Sequence, residues 1–341
     1  MRLGTQLQPR DDDDLALMAQ CGVTHVSLDP PGNPHDWSLA DLTAWRDRLA
    51  AFGLTLAMVQ LPLSSRPIAH SLSPDIMRAG PGRDAQIESI RRLIGRIGAA
   101  GIPAAKYNLN LIGIPRSAPE PGRGGALCSA FRWEAMDQGA PPGPAGIVPE
   151  AKNWARIQHF LDAVMPAADA ANVRLACHPH DPWTPPGYMG VTRVLGTVEG
   201  LKRFALMHPS PNHGLNLCIG TLGEMMADPA AEIGPAIRWF GERGRIFNVH
   251  FRNIVGRRGS FREAFPDEGD MDMWAAINLL AEIGYEGMVM PDHMPAVAGR
   301  EPQGAAFAFA YGYIAAQLQA LRAEGRLPPT RQDLEATSPK L

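Results

Sequence analysis

GRIFNVH (residues 244–250) and, after twenty intervening residues, MDMWAAINLLAEIGYEGMVMPD (residues 271–292) contain the pattern that decides the fold. IFNVH is a short strand-like run, WAAINLLAEI repeats apolar residues at the three- and four-residue spacing of a helix, and GMVMP is a second apolar run. A strand, a helix and a second strand in this order form a parallel pair joined by a right-handed crossover.

The same unit recurs about eight times along the chain. The predicted strands cover residues 3–7, 25–28, 55–61, 104–108, 174–178, 215–218, 246–250 and 287–291. The predicted helices between and after them include residues 39–52, 87–99, 157–170, 274–283 and 305–322. Eight strand and helix units indicate an α/β fold of the closed (β/α)8 TIM-barrel type, and an open, doubly wound sheet is the alternative.

The predicted barrel domain spans residues 1–325 of the 341-residue chain, a length that one barrel with insertions accounts for. Residues 109–150 are rich in Gly and Pro and predict a long loop insertion after the fourth strand. Residues 326–341 have no apolar periodicity and predict a loose C-terminal tail.

Composition and charge favour a protein that acts on small molecules. The net charge is −3, and no run of Lys or Arg exceeds two residues, so we expect no nucleic-acid partner. No apolar run has the length of a membrane span, and the acidic start, MRLGTQLQPRDDDD, lacks the apolar region of a signal peptide. We therefore expect no membrane association, a cytoplasmic location and, for the four scattered cysteines, reduced thiols.

Four residues able to bind a metal stand at the ends of the last four predicted strands: His178, Cys218, His250 and Asp292. The carboxyl ends of barrel strands converge on one mouth, so these residues become neighbours there. Each alone has a simpler interpretation, as a hydrogen-bonded histidine, a buried thiol or a turn-capping aspartate. Their equivalent places in four consecutive units favour a shared site, whose ligand types suit Mn, Fe, Co, Ni or Zn and not Mg or Ca.

At these residues the chain resembles the mannonate dehydratase family, within the xylose-isomerase-like group of metal-dependent TIM barrels. The motifs are ACHPHDPW (176–183), LNLCIGTLGE (215–224), NVHFRNIVGRRGSFREAFPDEGDMDM (248–273) and MPDHMP (290–295). The resemblance implies dehydration of D-mannonate to 2-keto-3-deoxy-D-gluconate, with Mn²⁺ or a similar divalent ion on the four ligands.

The resemblance also extends to AAGIPAAKYN (99–108), which makes Asn108 a candidate substrate contact. Two departures concern the substrate side of the site. His180 stands where the family usually has an aspartate, and the Trp-x-Arg-Thr type of segment that commonly follows the equivalent of Asn108 is absent.

Dehydration of a sugar acid needs an acid or base near the leaving hydroxyl, and His293, next to Asp292, is the candidate; its alternative is simple packing. Arg252 could clamp the substrate carboxylate, or it could pair with Asp270 or Asp272.

Arg193 and Asn253, like Asn108, are lesser candidates for binding the polyol, and surface roles are their alternative. His180 could bind substrate or support the metal ligands, or it could be an exposed polar residue.

Two other functions stay open at this point. One is a sugar isomerase or epimerase, or a lyase acting on a related aldonate or keto-sugar. The other is a non-catalytic sugar-binding descendant, because a fold alone does not imply catalysis. In each case the expected ligand is a small sugar or sugar acid, and we expect a homo-oligomer, as is common among such barrels.

Overall fold

The eight predicted strands form a closed barrel in the computed structural model, which describes residues 1–329. The barrel strands are β1 (Arg2–Thr5), β2 (His25–Ser27), β3 (Thr55–Gln60), β4 (Ala104–Tyr107), β8 (Arg174–Cys177), β9 (His213–Cys218), β10 (Ile246–His250) and β13 (Met288–Met290). All neighbouring pairs are parallel, and β1 pairs with both β2 and β13. This pairing confirms the TIM barrel and excludes the open sheet.

The helices that follow the strands surround the barrel. They are α1 (Asp12–Gln20), α2 (Leu39–Ala51), α3 (Pro74–Arg78), α4 (Arg83–Ala99), α5 (Glu150–Ala171), α6 (Val198–Leu206), α7 (Ile219–Gly223), α8 (Pro229–Gly241), α9 (Met273–Glu282) and α10 (Pro302–Ala323). Side-chain caps fix several starts: Ser38 and Asp41 form a capping box at α2, and Asp272 accepts a hydrogen bond from Ala275 N at α9.

Side chains along each strand point alternately outward to the helices and inward to the barrel, so the core has an outer and an inner part. In β4, Tyr107 packs outward against Phe160 of α5, with ring centroids 5.6 Å apart, whereas Ala104 points into the barrel. The interior cluster consists of Met58, Ala104, Ala176, Phe247, Met288 and Met290. This apolar layer closes the barrel below the carboxyl ends of its strands.

The inserted segment contains more regular structure than the sequence predicts. It includes β5 (Glu120–Pro121), β6 (Leu127–Cys128) and β7 (Ala130–Arg132). β7 joins a three-stranded antiparallel sheet with β12 (Ser260–Ala264), which also pairs with β11 (Asn253–Arg257). Strands of two or three residues show no detectable periodicity, and β7 is paired by a partner distant in sequence. The insertion is thereby attached to the loop that follows β10.

Among residues 1–329, no helix combines the length and the apolar character needed to cross a membrane. Most of the predicted loose tail, residues 326–341, lies outside the described residues.

Candidate active site

A ring of polar side chains occupies the carboxyl ends of all eight barrel strands. In strand order they are Gln6, Asp29, Gln60, Lys106, His178, Cys218, His250 and Asp292. Each lies in the last two residues of its strand or within two residues beyond it, on the face where TIM barrels bind their ligands. The metal ligands predicted from the sequence form one half of this ring.

The structure brings the four predicted ligand residues together. One donor atom each from His178, Cys218, His250 and Asp292 lies within 4.8 Å of the other three donors. Cys218, His250 and Asp292 are buried, and His178 is half-buried. Imidazole, thiolate and carboxylate donors at this spacing fit a borderline divalent cation.

The two histidines have their ring nitrogens arranged for such a cation. His178 Nδ1 donates to Pro179 O at 2.7 Å, which leaves the lone pair of Nε2 free. His250 Nε2 lies 3.1 Å from the amide Nδ2 of Asn216, whereas its buried Nδ1 has no hydrogen-bond partner and lies 3.3 Å from Asp292 Oδ1. A buried ring nitrogen without a partner, facing a carboxylate, is expected where an ion completes the contacts.

The Asn216 amide belongs to a buried pair that can set the tautomer of His250. Asn248 Nδ2 donates to Asn216 Oδ1 at 2.7 Å, and Asn248 Oδ1 is buried without a partner. If both amides turn over, His250 Nε2–H donates to Asn216 Oδ1 and Asn216 Nδ2 donates to Asn248 Oδ1, so the unpaired oxygen gains a partner. This arrangement leaves the Nδ1 lone pair of His250 for a metal.

Asp292 is held by neighbours on both sides. Gln6 Nε2 donates to its Oδ1 at 2.7 Å, and Cys218 Sγ lies 3.6 Å from Oδ2. Burial raises the pKa of Asp292, but the charge of His293, the neighbouring His250 ring and the Arg252 guanidinium outweigh burial and hold that pKa well below its usual range. The carboxylate is therefore ionised and ready to bind a cation.

Cys218 ends β9 and caps the short helix α7. Thr221 N donates to Cys218 Sγ at 3.4 Å, so the sulfur faces the backbone amides at the start of the helix. Gly220 lies directly against the Arg252 side chain, and a Cβ at this position would collide with Arg252 Nε. The Cys-Ile-Gly-Thr sequence thus places the thiol in the site and leaves space for the arginine behind it.

Arg252 lies fully buried behind the metal ligands, in a cluster of three carboxylates. Its Nη2 is 2.9 Å from both Asp181 Oδ2 and Glu224 Oε1, and its Nη1 is 2.6 Å from Glu263 Oε1. Arg116, from the inserted segment, contacts the same acids, at 2.6 Å from Asp181 Oδ1 and 3.1 Å from Glu263 Oε1.

These contacts correct the predictions for Arg252. The alternative pairing with Asp270 or Asp272 is wrong, because Asp270 Oδ2 accepts from Gly256 N and Asp272 caps α9. The role of a substrate clamp is also unsupported, because the guanidinium already contacts several carboxylates. The HFRN motif gave no indication of these partners, which come from the loop after β8 (Asp181), the end of α7 (Glu224) and strand β12 (Glu263).

Opposite pKa shifts divide the acids of this cluster. Burial raises the pKa of Asp181, but Arg116 and Arg252 outweigh burial and hold it well below the usual range. Burial and the negative charge of Asp181 raise the pKa of Glu224 well above its usual range, so Glu224 binds a proton more readily than Asp181 or Glu263.

His293 lies where the cluster meets the open mouth. Its side chain is 45% exposed, and Nδ1 lies 3.1 Å from Glu263 Oε1 and 3.0 Å from Arg252 Nη1. The charge of Asp292 raises the pKa of His293 to about 9, burial opposes this shift, and the hydrogen bond to Glu263 adds to it. The partly exposed imidazole is therefore not a packing residue: Glu263 orients it, and it carries a proton.

The other predicted substrate contacts have different positions. His180 is 2% exposed, its Nδ1 accepts from Leu195 N, and its Nε2 donates to Leu109 O. Burial lowers the pKa of His180 to about 3. The substrate role predicted for His180 is therefore corrected: the neutral ring joins two loops and has no free nitrogen.

Asn253 and Arg193 are both buried, which contradicts the surface alternative. Asn253 Oδ1 accepts from Ile254 N and its Nδ2 donates to Met271 O, so its amide stabilises a backbone turn and is not available to a polyol. Arg193 Nη2 donates to Asp181 O at 2.8 Å and supports the loop after β8. Asn108 is half-buried just after β4; its backbone N–H donates to Leu63 O, whereas its side-chain amide makes no hydrogen bond to another described residue.

Four members of the ring were missed from the sequence: Gln6, Asp29, Gln60 and Lys106. The signal that identified the metal ligands, a polar residue at the end of an apolar strand, applies to them equally. Gln6 follows β1, Asp29 follows β2, and Lys106 interrupts the apolar run of β4. Glu263 and Arg116 gave no comparable signal.

Comparisons with known proteins agree with this architecture. The sequence model of the family "D-mannonate dehydratase (UxuA)" matches residues 146–321. A mannonate dehydratase of Streptococcus equi subsp. zooepidemicus is 28% identical over 305 residues, covering 82% of this chain and 80% of the relative. The crystal structure of a mannonate dehydratase from Streptococcus suis serotype 2 superposes with a TM-score of 0.82 at 25% identity, covering 96% of both chains. An L-ribulose 3-epimerase structure, at 18% identity and a TM-score of 0.57, shares the fold.

Proposed function

The chain belongs to the D-mannonate dehydratase family, whose model matches more than half of it, and from this premise we propose that it removes water from D-mannonate. The product is 2-keto-3-deoxy-D-gluconate. The observation that carries the proposal is the convergence of His178, Cys218, His250 and Asp292 at the barrel mouth, with His293 beside them. Family membership makes the chain a hydro-lyase, and the substrate is the proposed part.

We propose that the four converging residues hold a divalent metal, and that manganese is the physiological ion. The partnerless Nδ1 of His250 and the free Nε2 of His178 supply two lone pairs, and Cys218 and Asp292 supply two anionic donors. When bound there, a divalent cation withdraws negative charge from the substrate carboxylate as the proton on C2 leaves. A homo-oligomeric assembly and a cytoplasmic location stay predictions from the sequence.

His293 is the residue that we assign to proton transfer. The reaction breaks the C2–H and C3–O bonds and releases one water, and the resulting enol becomes the 2-keto acid. With Nδ1–H held by Glu263, the other nitrogen, Nε2, is left to exchange a proton with substrate. In its neutral form His293 can accept the C2 proton at Nε2 and give it to the C3 hydroxyl, so one side chain balances the reaction. The charge of Asp292, which favours the protonated ring, would be offset by a divalent cation on that carboxylate.

Glu263 and Arg252 act on His293 and do not reach the substrate themselves. Glu263 is 2% exposed and accepts from His293 Nδ1, which fixes the ring orientation. Arg252, at 2.6 Å from Glu263 Oε1, holds the pKa of this carboxylate below its usual value against the opposing effect of burial. We therefore propose them as positioning residues.

The test is formation of a 2-keto-3-deoxy acid by the Mn²⁺-loaded protein from D-mannonate, epimeric aldonates and keto-sugars. We expect D-mannonate to be dehydrated, and His293→Asn to lower kcat by roughly 10²- to 10⁴-fold, the usual contribution of a general acid or base. His159→Asn, an exposed histidine on α5, is the matched control and should keep full activity. Isomerisation of a keto-sugar without dehydration of any aldonate would contradict the proposal.

A further inference from the structure

We propose that Lys106 binds the carboxylate of the substrate and makes the site selective for sugar acids over neutral sugars. This inference rests on the proposed function, because it concerns the half of the polar ring that faces the metal ligands. The supporting observations are the direction of the lysine side chain, the absence of an ion-pair partner, and its link to Asp292.

The strand geometry places Lys106 inside the barrel mouth. Ala105 and Tyr107 belong to the core between the sheet and the helices, and Ala104 belongs to the barrel interior. Because side chains alternate along a strand, Lys106 points inward, above Ala104. Its side chain is buried, with 9% exposure, at the level of the ring.

The buried ammonium group of Lys106 has no carboxylate partner. Within residues 1–329, its Nζ makes one hydrogen bond, to the neutral amide oxygen Gln6 Oε1 at 2.7 Å, and it forms no ion pair. Asp29 and Asp292 act on it only at longer range, and burial lowers the pKa of Lys106. A buried cation without an anion is costly, whereas Arg116 and Arg252 are each surrounded by acids. An anionic ligand would supply the missing partner.

Gln6 joins this ammonium group to the metal ligands. The same amide that accepts from Lys106 donates to Asp292 Oδ1 at 2.7 Å. Lys106 and the metal ligand Asp292 therefore lie at the two ends of one side-chain amide. A carboxylate bound at this place can direct one oxygen to Lys106 and the other toward the metal ligands. A neutral polyol has no group that would satisfy the ammonium equally well.

Lys106→Met and Lys106→Gln, in the Mn²⁺-loaded protein, test the inference. We expect KM for D-mannonate to rise roughly 10- to 100-fold, as for loss of a charge-assisted hydrogen bond, with kcat within about threefold of wild type. Calorimetric affinity for D-mannonate should fall by the same factor, while affinity for D-mannitol should not change. Lys202→Met, on the surface of α6, is the matched control. The calorimetric comparison is made in the His293→Asn background, so it does not depend on turnover.

Metal affinity separates ligand binding from a merely structural role. Removing a cation near Asp292 should leave the Mn²⁺ dissociation constant unchanged or lower it. An unchanged KM, or loss of metal binding or of folding in both variants, would overturn the inference. Wild-type protein that dehydrates no aldonate would refute the proposed function. If that protein still bound D-mannonate, and bound it more weakly in the Lys106 variants, the inference about Lys106 would be supported independently.

Discussion

Replacing Asn216 by leucine removes the hydrogen-bond partner of His250 Nε2 without touching a metal ligand. Asn216 is 1% exposed, near the middle of β9, and its amide lies between His250 and Asn248. Leucine has the same number of side-chain heavy atoms and the same branching at Cγ, so the change is chiefly the loss of two hydrogen bonds. We predict weaker metal binding and a lower free energy of unfolding.

The two effects have separate sizes. Losing the hydrogen bond that fixes the His250 tautomer should raise the Mn²⁺ dissociation constant roughly 10- to 100-fold, the usual effect of removing such a supporting group. Losing the second hydrogen bond leaves the side-chain amide of Asn248, which lies 2.7 Å from that of Asn216, buried without a strong partner. An unsatisfied buried amide costs about 1–3 kcal/mol of folding stability.

The assay is metal titration against a competing chelator, together with urea unfolding of the metal-free protein. Asn212→Leu is the matched control: this buried asparagine precedes β9 and donates to Asp169, so it should lose stability without losing metal affinity. The double variant Asn216→Leu with Asn248→Leu should recover stability but not metal affinity. A Mn²⁺ dissociation constant for Asn216→Leu within twofold of wild type would refute the proposed role of Asn216 in fixing the His250 tautomer.

Three other perturbations test the surroundings of the site. Arg116→Met should lower the unfolding free energy by about 3 kcal/mol in urea, because it leaves buried carboxylates undercompensated, whereas the exposed Arg123→Met should change it little. Gly220→Ala should reduce turnover, measured as kcat, because the new Cβ would displace Arg252; unchanged kcat would contradict the packing. Burial lowers the pKa of His213 to about 4. Below about pH 6.5 the unfolded chain therefore binds a proton at His213 that the folded chain does not bind. The free energy of unfolding should fall by up to about 3 kcal/mol as the pH is lowered from 6.5 to 4. His213→Gln should flatten this dependence in urea unfolding, and an equally steep curve would exclude His213 as its cause.

The barrel was predictable because its strands are short apolar runs between polar loops, repeated at helix-length intervals. The strand predicted at residues 55–61 is observed as Thr55–Gln60, and the others agree similarly well. The strands of the inserted segment were not predictable, because β7 has three residues and is ordered by pairing with β12. The local sequence does not indicate a pairing partner that is so distant along the chain.

The candidate site also contains residues that the sequence could predict and residues that it could not. The four metal ligands share an equivalent place in successive units, and barrel geometry converts this equivalence into proximity. Lys106 and Gln6 obey the same rule on the opposite half of the ring. The acids around Arg252 obey no periodic rule, because they lie in a loop, at a helix end and in strand β12, whose positions depend on the finished barrel. His180 looked like a site residue from its place near the metal ligand His178, but its ring instead joins two loops.

The most direct test of the account is to strip the metal, assay dehydration of D-mannonate, and then add Mn²⁺ in steps up to one equivalent. Cys218→Ala and Asp292→Asn are assayed in parallel. We predict no 2-keto-3-deoxy acid from the stripped protein, product formation that rises with metal and reaches its maximum near one equivalent, and no recovery in either variant. Equal turnover before and after stripping, or full activity in Cys218→Ala, would contradict the claim that these residues hold the metal of a mannonate dehydratase.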